Sequence, residues 1–326
     1  MIFDAITFVV AFGITLVLYP VAIRMLQRLK AGQVIQPELP DSHQRKAGTP
    51  TGGGVLFAVL GIVGGLLAAL AGHPGAWPAV SGLVAGGLIG LADDLSKLRL
   101  GSRGIPARLK LPIQVLLALP VAYFAISASA PSCAAPPSLF CGGPHQYLLP
   151  YMPWLLFPIA VIAIVATANA VNITDGIDGL AGGLSVIALA AIALLLPGAP
   201  AGEKAVAMAL AGALVAFLVF NRYPARVFMG DTGSLAIGYA LAAMAIQQGL
   251  LVLLPLLALV FVLETLSVII QVAYFKASGG RRVFKMAPIH YTFHHQGWSE
   301  NRIALTFWGA GLVSALAAAG VARLIT

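Results

Sequence analysis

The feature that most constrains this chain is a series of apolar runs, most of them about 20 residues long. A helix of that length crosses roughly 30 Å of hydrocarbon. Only 9% of the residues are charged, against about 25% in a soluble domain. The runs lack the alternation of outer-membrane barrel strands, so the expected spanning element is the helix. The sequence therefore predicts an all-α integral membrane protein, a single polytopic domain over residues 1–326.

The apolar runs predict ten transmembrane helices. Their approximate ranges are 3–23, 52–72, 77–95, 111–129, 152–172, 179–197, 204–220, 233–248, 250–274 and 303–324.

The basic residues follow this topology closely. With ten spans, 17 of the 19 Lys and Arg residues fall on one face, and only Lys204 and Arg323 fall on the other. The positive-inside rule makes the basic face cytoplasmic and places both termini outside. The same distribution accounts for the net charge of +8 without nucleic acid, and basic loops of this kind attract anionic membrane lipid or phosphate.

Five aspartates stand out among only eleven acidic residues. Asp93 and Asp94 end the third predicted span, Asp175 and Asp178 follow the fifth, and Asp231 follows the seventh. All five are therefore predicted at the cytoplasmic boundary. Because a carboxylate beside hydrocarbon is costly, we expect them to line one acidic, metal-ready active-site cleft on that face.

Each of the three aspartate motifs also has a structural interpretation. Asp93, Asp94 and Lys97 lie within one helical turn. The two carboxylates are typical of a site that binds a divalent cation or a proton. The alternative is an ordinary ion pair between an aspartate and Lys97 at a helix end. Asn169 and Asn172 continue a polar stripe towards Asp175, which indicates a ligand cleft or a polar seam between helices. Asp231 begins the eighth span, as a Mg²⁺ ligand or as a helix cap.

Three further segments carry candidate residues. Lys46 precedes a Gly-rich entry into the second span, typical of an anion site or of a flexible junction. His290, His294 and His295 lack a zinc signature, which favours phosphate contacts or a plain interfacial loop. Glu264 shares a helix face with Ser267 and Gln271, which predicts contacts between helices. Cys133 and Cys141 share an exterior loop as a disulfide or as two thiols.

Taken together, the motifs resemble a known family. SHQRKAGTPTGGG, GLADDLSK, NAVNITDGIDGLAGG, NRYPARVFMGDTGSLA, ETLSVIIQVAYFK and KMAPIH followed by GWSE occur in this order, from about residue 24 to 305. They are similar to the bacterial phospho-N-acetylmuramoyl-pentapeptide transferases, within the polyprenyl-phosphate N-acetylhexosamine-1-phosphate transferase superfamily. The three aspartate motifs are superfamily-wide, and the remaining segments point to the muramoyl branch.

The resemblance implies a Mg²⁺-dependent reaction in the bacterial inner (plasma) membrane. Phospho-MurNAc-pentapeptide would pass from UDP-MurNAc-pentapeptide to undecaprenyl phosphate, giving lipid I and UMP. A direct attack and a two-step route through an aspartyl–phosphate remain open. So does the oligomeric state, for which a homodimer is one option.

The resemblance also implies roles for individual residues. Asp231 would coordinate magnesium, and Asp93 or Asp94 would deprotonate the acceptor phosphate. Asp178 and Phe228 would hold uracil. The remaining substrate-side positions are Lys46, Thr51, Lys97, Lys110, Asn169, Asn172, Asp175, Asn221 and His290, with His294 and His295 as further candidates.

The chain departs from the family pattern in two places. The family usually reads APxHHHFE where this chain reads APIHYTFHH, so Tyr291 and Thr292 replace two histidines. Gly52 stands where the family has methionine. The first change keeps a rival open, a sister enzyme using UDP-GlcNAc or another UDP-N-acetylhexosamine. A more distant rival is an ion-coupled transporter, which would carry its acids near the bilayer midplane.

Overall fold

The structure is a computed structural model, and it describes residues 2–29, 48–100, 104–129 and 153–325. Helices account for the regular structure of these ranges, with no strand among them. The α-helices are α1 (Ile2–Arg28), α2 (Gly54–Leu70), α3 (Trp77–Leu100), α4 (Ala107–Ala128), α5 (Pro153–Thr174), α6 (Leu180–Ala190), α7 (Ala201–Asn221), α8 (Gly230–Gln247), α9 (Leu254–Leu257), α10 (Leu259–Ala277), α11 (Ile289–His295) and α12 (Glu300–Ile325).

The predicted spans all coincide with helical segments. Across the described ranges, seven helices are long and apolar enough to cross a membrane. The other three predicted spans fall on α2, on α6 with its π-helical extension Ala191–Leu195, and on α8. The chain is thus a multi-pass membrane protein. Its termini and its cytoplasmic side remain predictions at this point.

Helix boundaries differ from prediction at two functionally relevant places. α3 continues beyond the predicted end of its span at 95, and it carries Lys97 one turn after the two aspartates, as the sequence predicted. The ninth predicted span, 250–274, is interrupted at Ala258, between α9 and α10. Hydropathy could not show this break because both sides of it are equally apolar.

Helix α8 is the centre of the bundle, and nearly all of its side chains are buried. It packs most extensively against α3 and then against α5. Two glycines of α3 permit the closest approach. A Cβ at Gly86 would lie 2.4 Å from the Leu235 carbonyl oxygen, and one at Gly90 would lie 2.3 Å from that of Asp231. Small residues let membrane helices approach to backbone contact, and here they bring the end of α3 beside the start of α8.

Candidate active site

Asp93 and Asp94 are adjacent and buried, yet they contact different partners. Asp94 lies against the first turn of α8. Its Oδ1 accepts a hydrogen bond from the Asp231 amide (3.1 Å), and its Oδ2 accepts from the amide (3.0 Å) and hydroxyl (2.7 Å) of Thr232. The first amides of a helix have no partner within that helix. Asp94 therefore caps α8 from the neighbouring helix.

Gly230 makes this arrangement possible. Its φ is +70°, in the region that favours glycine. A Cβ there would lie 2.7 Å from Asp94 Oδ2 and 3.0 Å from Thr51 Oγ1. Thr51 thus borders the same site, while Lys46 lies outside the described residues, as do Cys133 and Cys141.

Asp93 and Asp231 share two lysines. Lys97 Nζ lies 2.7 Å from Asp93 Oδ2 and 2.9 Å from Asp231 Oδ1. Lys110, from the first turn of α4, lies 3.4 Å from Asp93 Oδ2 and also contacts Asp231 Oδ2. The amide of Ile105 donates to Asp93 Oδ1 at 2.7 Å. Two of the three aspartate motifs and Lys110 therefore meet in one ionic cluster, in which Asp93 is buried, Asp231 is largely buried and Lys97 is partly exposed.

The two asparagines of α5 have different surroundings. Asn172 Nδ2 donates to Asp231 Oδ1 (3.1 Å) and to Ser234 Oγ (2.8 Å), which places Asn172 inside the cluster. Asn169 lies one turn deeper and pairs with Gln114 of α4, its Nδ2 donating to Gln114 Oε1 at 2.8 Å. The contacts of Asn169 are those of an amide pair between helices.

The turn that follows α5 carries Asp175 and Asp178, and it is held from several elements. Asn221, at the end of α7, accepts from the Gly179 amide at 3.0 Å and donates to the Val227 carbonyl at 2.9 Å. Asp178 is buried, and its Oδ2 accepts from the Ala225 amide at 2.8 Å. Asn221 and Asp178 therefore tie this turn to the segment that leads into α8.

Phe228 lies in that segment, half-buried. Its amide donates to the Pro50 carbonyl at 2.9 Å, and its own carbonyl accepts from the Gly53 amide at 2.9 Å. The Gly-rich stretch before α2 is thus paired with the backbone around Phe228. Gly52 has a φ of +93°, so a methionine there would be strained.

The histidine segment forms the short helix α11. His290 is fully buried, with Nδ1 3.0 Å from Glu264 Oε2 of α10. The predicted contact of Glu264 with another helix is therefore confirmed, with His290 as its partner. Tyr291 donates to the Gly176 carbonyl at 3.0 Å. His294 is half-buried and His295 is exposed.

Electrostatics keep the Tyr291 hydroxyl protonated. Burial raises the pKa of Tyr291, and the nearby carboxylates of Glu300, Asp175 and Glu264 raise it further. The tyrosine is therefore a neutral hydrogen-bond donor.

No group of three or more His, Cys, Asp or Glu side chains within the described ranges lies close enough to hold a metal by itself. The fit to Mg²⁺ rests on the donor set, because this ion usually takes one or two carboxylates and shares substrate phosphates and water. Asp231 is such a carboxylate, and it already lies against the ammonium groups of Lys97 and Lys110. The site therefore fits a magnesium ion shared with a phosphate ligand.

Glu300 and Gln114 were not identified from the sequence. Glu300 at the start of α12 accepts from the Asp178 amide at 3.1 Å, and Gln114 pairs with the predicted residue Asn169. The signal for Glu300 was weak but present, since acids are scarce in this chain and Glu300 begins an apolar helix.

Comparisons with known proteins identify relatives of this chain. The model of glycosyl transferase family 4 matches residues 77–249, which include α3 to α8. Curated relatives carry the name phospho-N-acetylmuramoyl-pentapeptide-transferase. The protein from Heliobacterium modesticaldum is 42% identical over 315 residues, covering 94% of each chain. Those from Oceanobacillus iheyensis and Pelotomaculum thermopropionicum are 43% and 44% identical, covering 95% and 98% of each chain.

Proposed function

The chain belongs to the phospho-N-acetylmuramoyl-pentapeptide transferase family, within glycosyl transferase family 4, and we propose that it catalyses the reaction for which the family is named. Phospho-MurNAc-pentapeptide passes from its UDP carrier to undecaprenyl phosphate, giving lipid I and UMP. The observation that carries this proposal is the cluster in which Asp93 and Asp231 share Lys97 and Lys110. Such a cluster suits the positioning of phosphates and the stabilisation of their charge.

We place the cleft on the cytoplasmic face of the bacterial plasma membrane. The support is the distribution of 17 of the 19 basic residues onto the face that carries the aspartate motifs. A soluble, charged donor and a membrane-anchored acceptor can meet only at such an interface. Both termini are then exterior.

Asp231 is the residue that would hold Mg²⁺, together with donor phosphate oxygens. The ion would supply charge neutralisation of the diphosphate and stabilise UMP as a leaving group. Lys97 and Lys110 each contact Asp93 and Asp231. Their ammonium groups are therefore placed to bind the donor phosphates.

Asp93 and Asp94 have different surroundings, which favours different roles for the two carboxylates. Asp94 is bound to the backbone and hydroxyl of the first turn of α8, so it orients Asp231. Asp93 is left to accept the proton of the acceptor phosphate. An oxygen of that phosphate then bonds to the sugar-linked phosphorus of the donor, and the bond from that phosphorus to UMP breaks. Asp93 thus serves as general base in a direct displacement.

The nucleotide subsite is assigned to the neighbouring turn. Asp178 and Phe228 would hold uracil by hydrogen bonding and ring stacking. Asn221 fixes both segments, since it bonds to Gly179 and to Val227. Asp175 and Asn172 extend the polar surface from this subsite to Asp231.

We propose that the acceptor lipid binds beside α10. A cavity of about 380 Å³ there is lined by Val272, Phe275 and Met286 together with Lys276 and Arg282. Gln271 shapes it by accepting from the amides of Val283 (3.1 Å) and Phe284 (2.9 Å). Apolar walls with two cations match a lipid phosphate on a hydrocarbon chain.

The decisive experiment measures UMP release by purified protein in the presence of undecaprenyl phosphate. UDP-MurNAc-pentapeptide and UDP-GlcNAc are supplied separately, with radiolabelled sugar followed into the lipid. We expect transfer from the muramoyl donor. Transfer from UDP-GlcNAc alone would assign the sister activity, and ion flux in proteoliposomes without UMP release would favour a transporter. A covalent phospho-enzyme trapped without acceptor would replace the direct displacement by the two-step route.

A further inference from the structure

We propose that Tyr291 is a positioning residue that holds the turn between Asp175 and Asp178, and thereby sets the affinity for the uridine nucleotide of the donor. The inference rests on the proposed function, because that function places the nucleotide at this turn. It assigns a task to a tyrosine that stands where the family usually has histidine.

The contact joins two segments far apart in the chain. The Tyr291 hydroxyl donates to the Gly176 carbonyl at 3.0 Å. Gly176 lies between the two aspartates of the turn, so the hydrogen bond acts on the backbone that orients both. A hydrogen bond between such distant segments restrains the turn without touching the ligand itself.

Tyr291 is itself rigidly supported. Its ring packs against that of His290, with the centroids 4.2 Å apart. His290 is bonded to Glu264 through Nδ1, and both side chains are fully buried. The turn is thereby connected through Tyr291 and His290 to α10, a long helix of the bundle.

The turn at Gly176 packs tightly against α11. A Cβ at Gly176 would lie 2.4 Å from His290 Nε2 and 3.1 Å from the Tyr291 hydroxyl. The backbone of the turn therefore lies directly against α11. Glu300 adds a second restraint by accepting from the Asp178 amide at 3.1 Å.

The reacting groups have separate supports. Asp93 and Asp231 are held by contacts from α3, α4, α5 and the segment before α4. None of these contacts passes through α11. Weakening the Tyr291 contact should therefore change nucleotide binding and leave the chemical step intact.

The test uses full-length protein with two substitutions. Tyr291→Phe removes the donor and keeps the ring, and Tyr123→Phe removes an exposed hydroxyl from α4 as a control. UMP binding is measured without acceptor, and KM and kcat are measured for UMP release. Thermal melting shows that each variant is folded.

We expect Tyr291→Phe to raise the Kd for UMP and the KM for the donor by about three- to tenfold, the value of one hydrogen bond, at nearly unchanged kcat. Tyr123→Phe should match the unsubstituted protein. A normal Kd in Tyr291→Phe, or a loss of kcat as large as the rise in KM, would refute the positioning role. If the unsubstituted protein neither binds UMP nor releases it, the proposed function fails instead.

Discussion

Asp94 Oδ2 accepts hydrogen bonds from both the amide and the hydroxyl of Thr232, at 3.0 and 2.7 Å. One carboxylate of an adjacent pair thus serves as the cap of a neighbouring helix. The other, Asp93, faces the lysines. Asp93 and Asp94 therefore have different roles, and substitutions can distinguish them.

Substitution of Asp94 should affect stability more than substitution of Asp93. Asp94→Ala leaves two amides and a hydroxyl in the first turn of α8 without their acceptor, which costs about 1–3 kcal/mol of unfolding free energy. Asp93→Asn should abolish UMP release with a smaller shift in thermal melting. Measuring melting temperature and activity for both variants tests this division of roles between Asp93 and Asp94. An Asp94→Ala protein of unchanged stability would contradict it.

The approach of α3 to α8 offers a matched pair of neighbouring glycines. In Gly86→Ala the new Cβ would meet the Leu235 carbonyl oxygen at 2.4 Å, whereas in Gly87→Ala its nearest neighbour is Ala236 Cβ at 4.0 Å. We expect Gly86→Ala to lower stability by about 1–3 kcal/mol or more and to reduce activity, because the helices must separate. Gly87→Ala should be neutral or stabilising, since alanine favours the helix. Similar melting temperatures for the two variants would argue against tight α3–α8 packing.

Asp231→Asn tests the magnesium assignment. The change keeps the size of the side chain and removes its charge, so we expect UMP release to fall by about 100-fold or more. The Mg²⁺ concentration for half-maximal rate should rise in any residual activity. Asp4→Asn, in the first turn of α1, is the control. Full activity of Asp231→Asn at unchanged Mg²⁺ dependence would remove Asp231 from the metal site.

The two lysines should contribute to donor binding. Lys97→Gln or Lys110→Gln removes one of the two ammonium groups that Asp93 and Asp231 share. We expect the KM for the donor to rise about 10- to 100-fold, as for a lost charged hydrogen bond. Arg99→Gln, exposed on the same helix as Lys97, provides the comparison. A donor KM unaffected by both lysine variants would mean that the ammonium groups serve only the carboxylates.

Much of the architecture could be predicted because the physics of a membrane span is local. A run of about 20 apolar residues is recognisable without knowing its neighbours, so every predicted span falls on a helix. The interruption at Ala258 was missed because a break inside an apolar stretch leaves no hydropathy signal.

Some residues singled out from the sequence lie together in the structure. Asp93 and Asp231 were singled out because carboxylates beside hydrocarbon are rare, and the structure places both against Lys97. Glu300 was missed because an acid in the first turn of a helix is ordinary. Only its contact with the Asp178 amide distinguishes it.

By itself, the sequence determined the membrane class, the number of apolar segments and the residue types available for phosphate chemistry, because these follow from composition and local pattern. The tertiary structure alone decided which aspartate caps α8 and which faces Lys97, since adjacent side chains on a helix point in directions about 100° apart. It also decided that Tyr291 meets Gly176, 115 residues away in the chain. Such contacts depend on how the helices pack, and no local pattern encodes them.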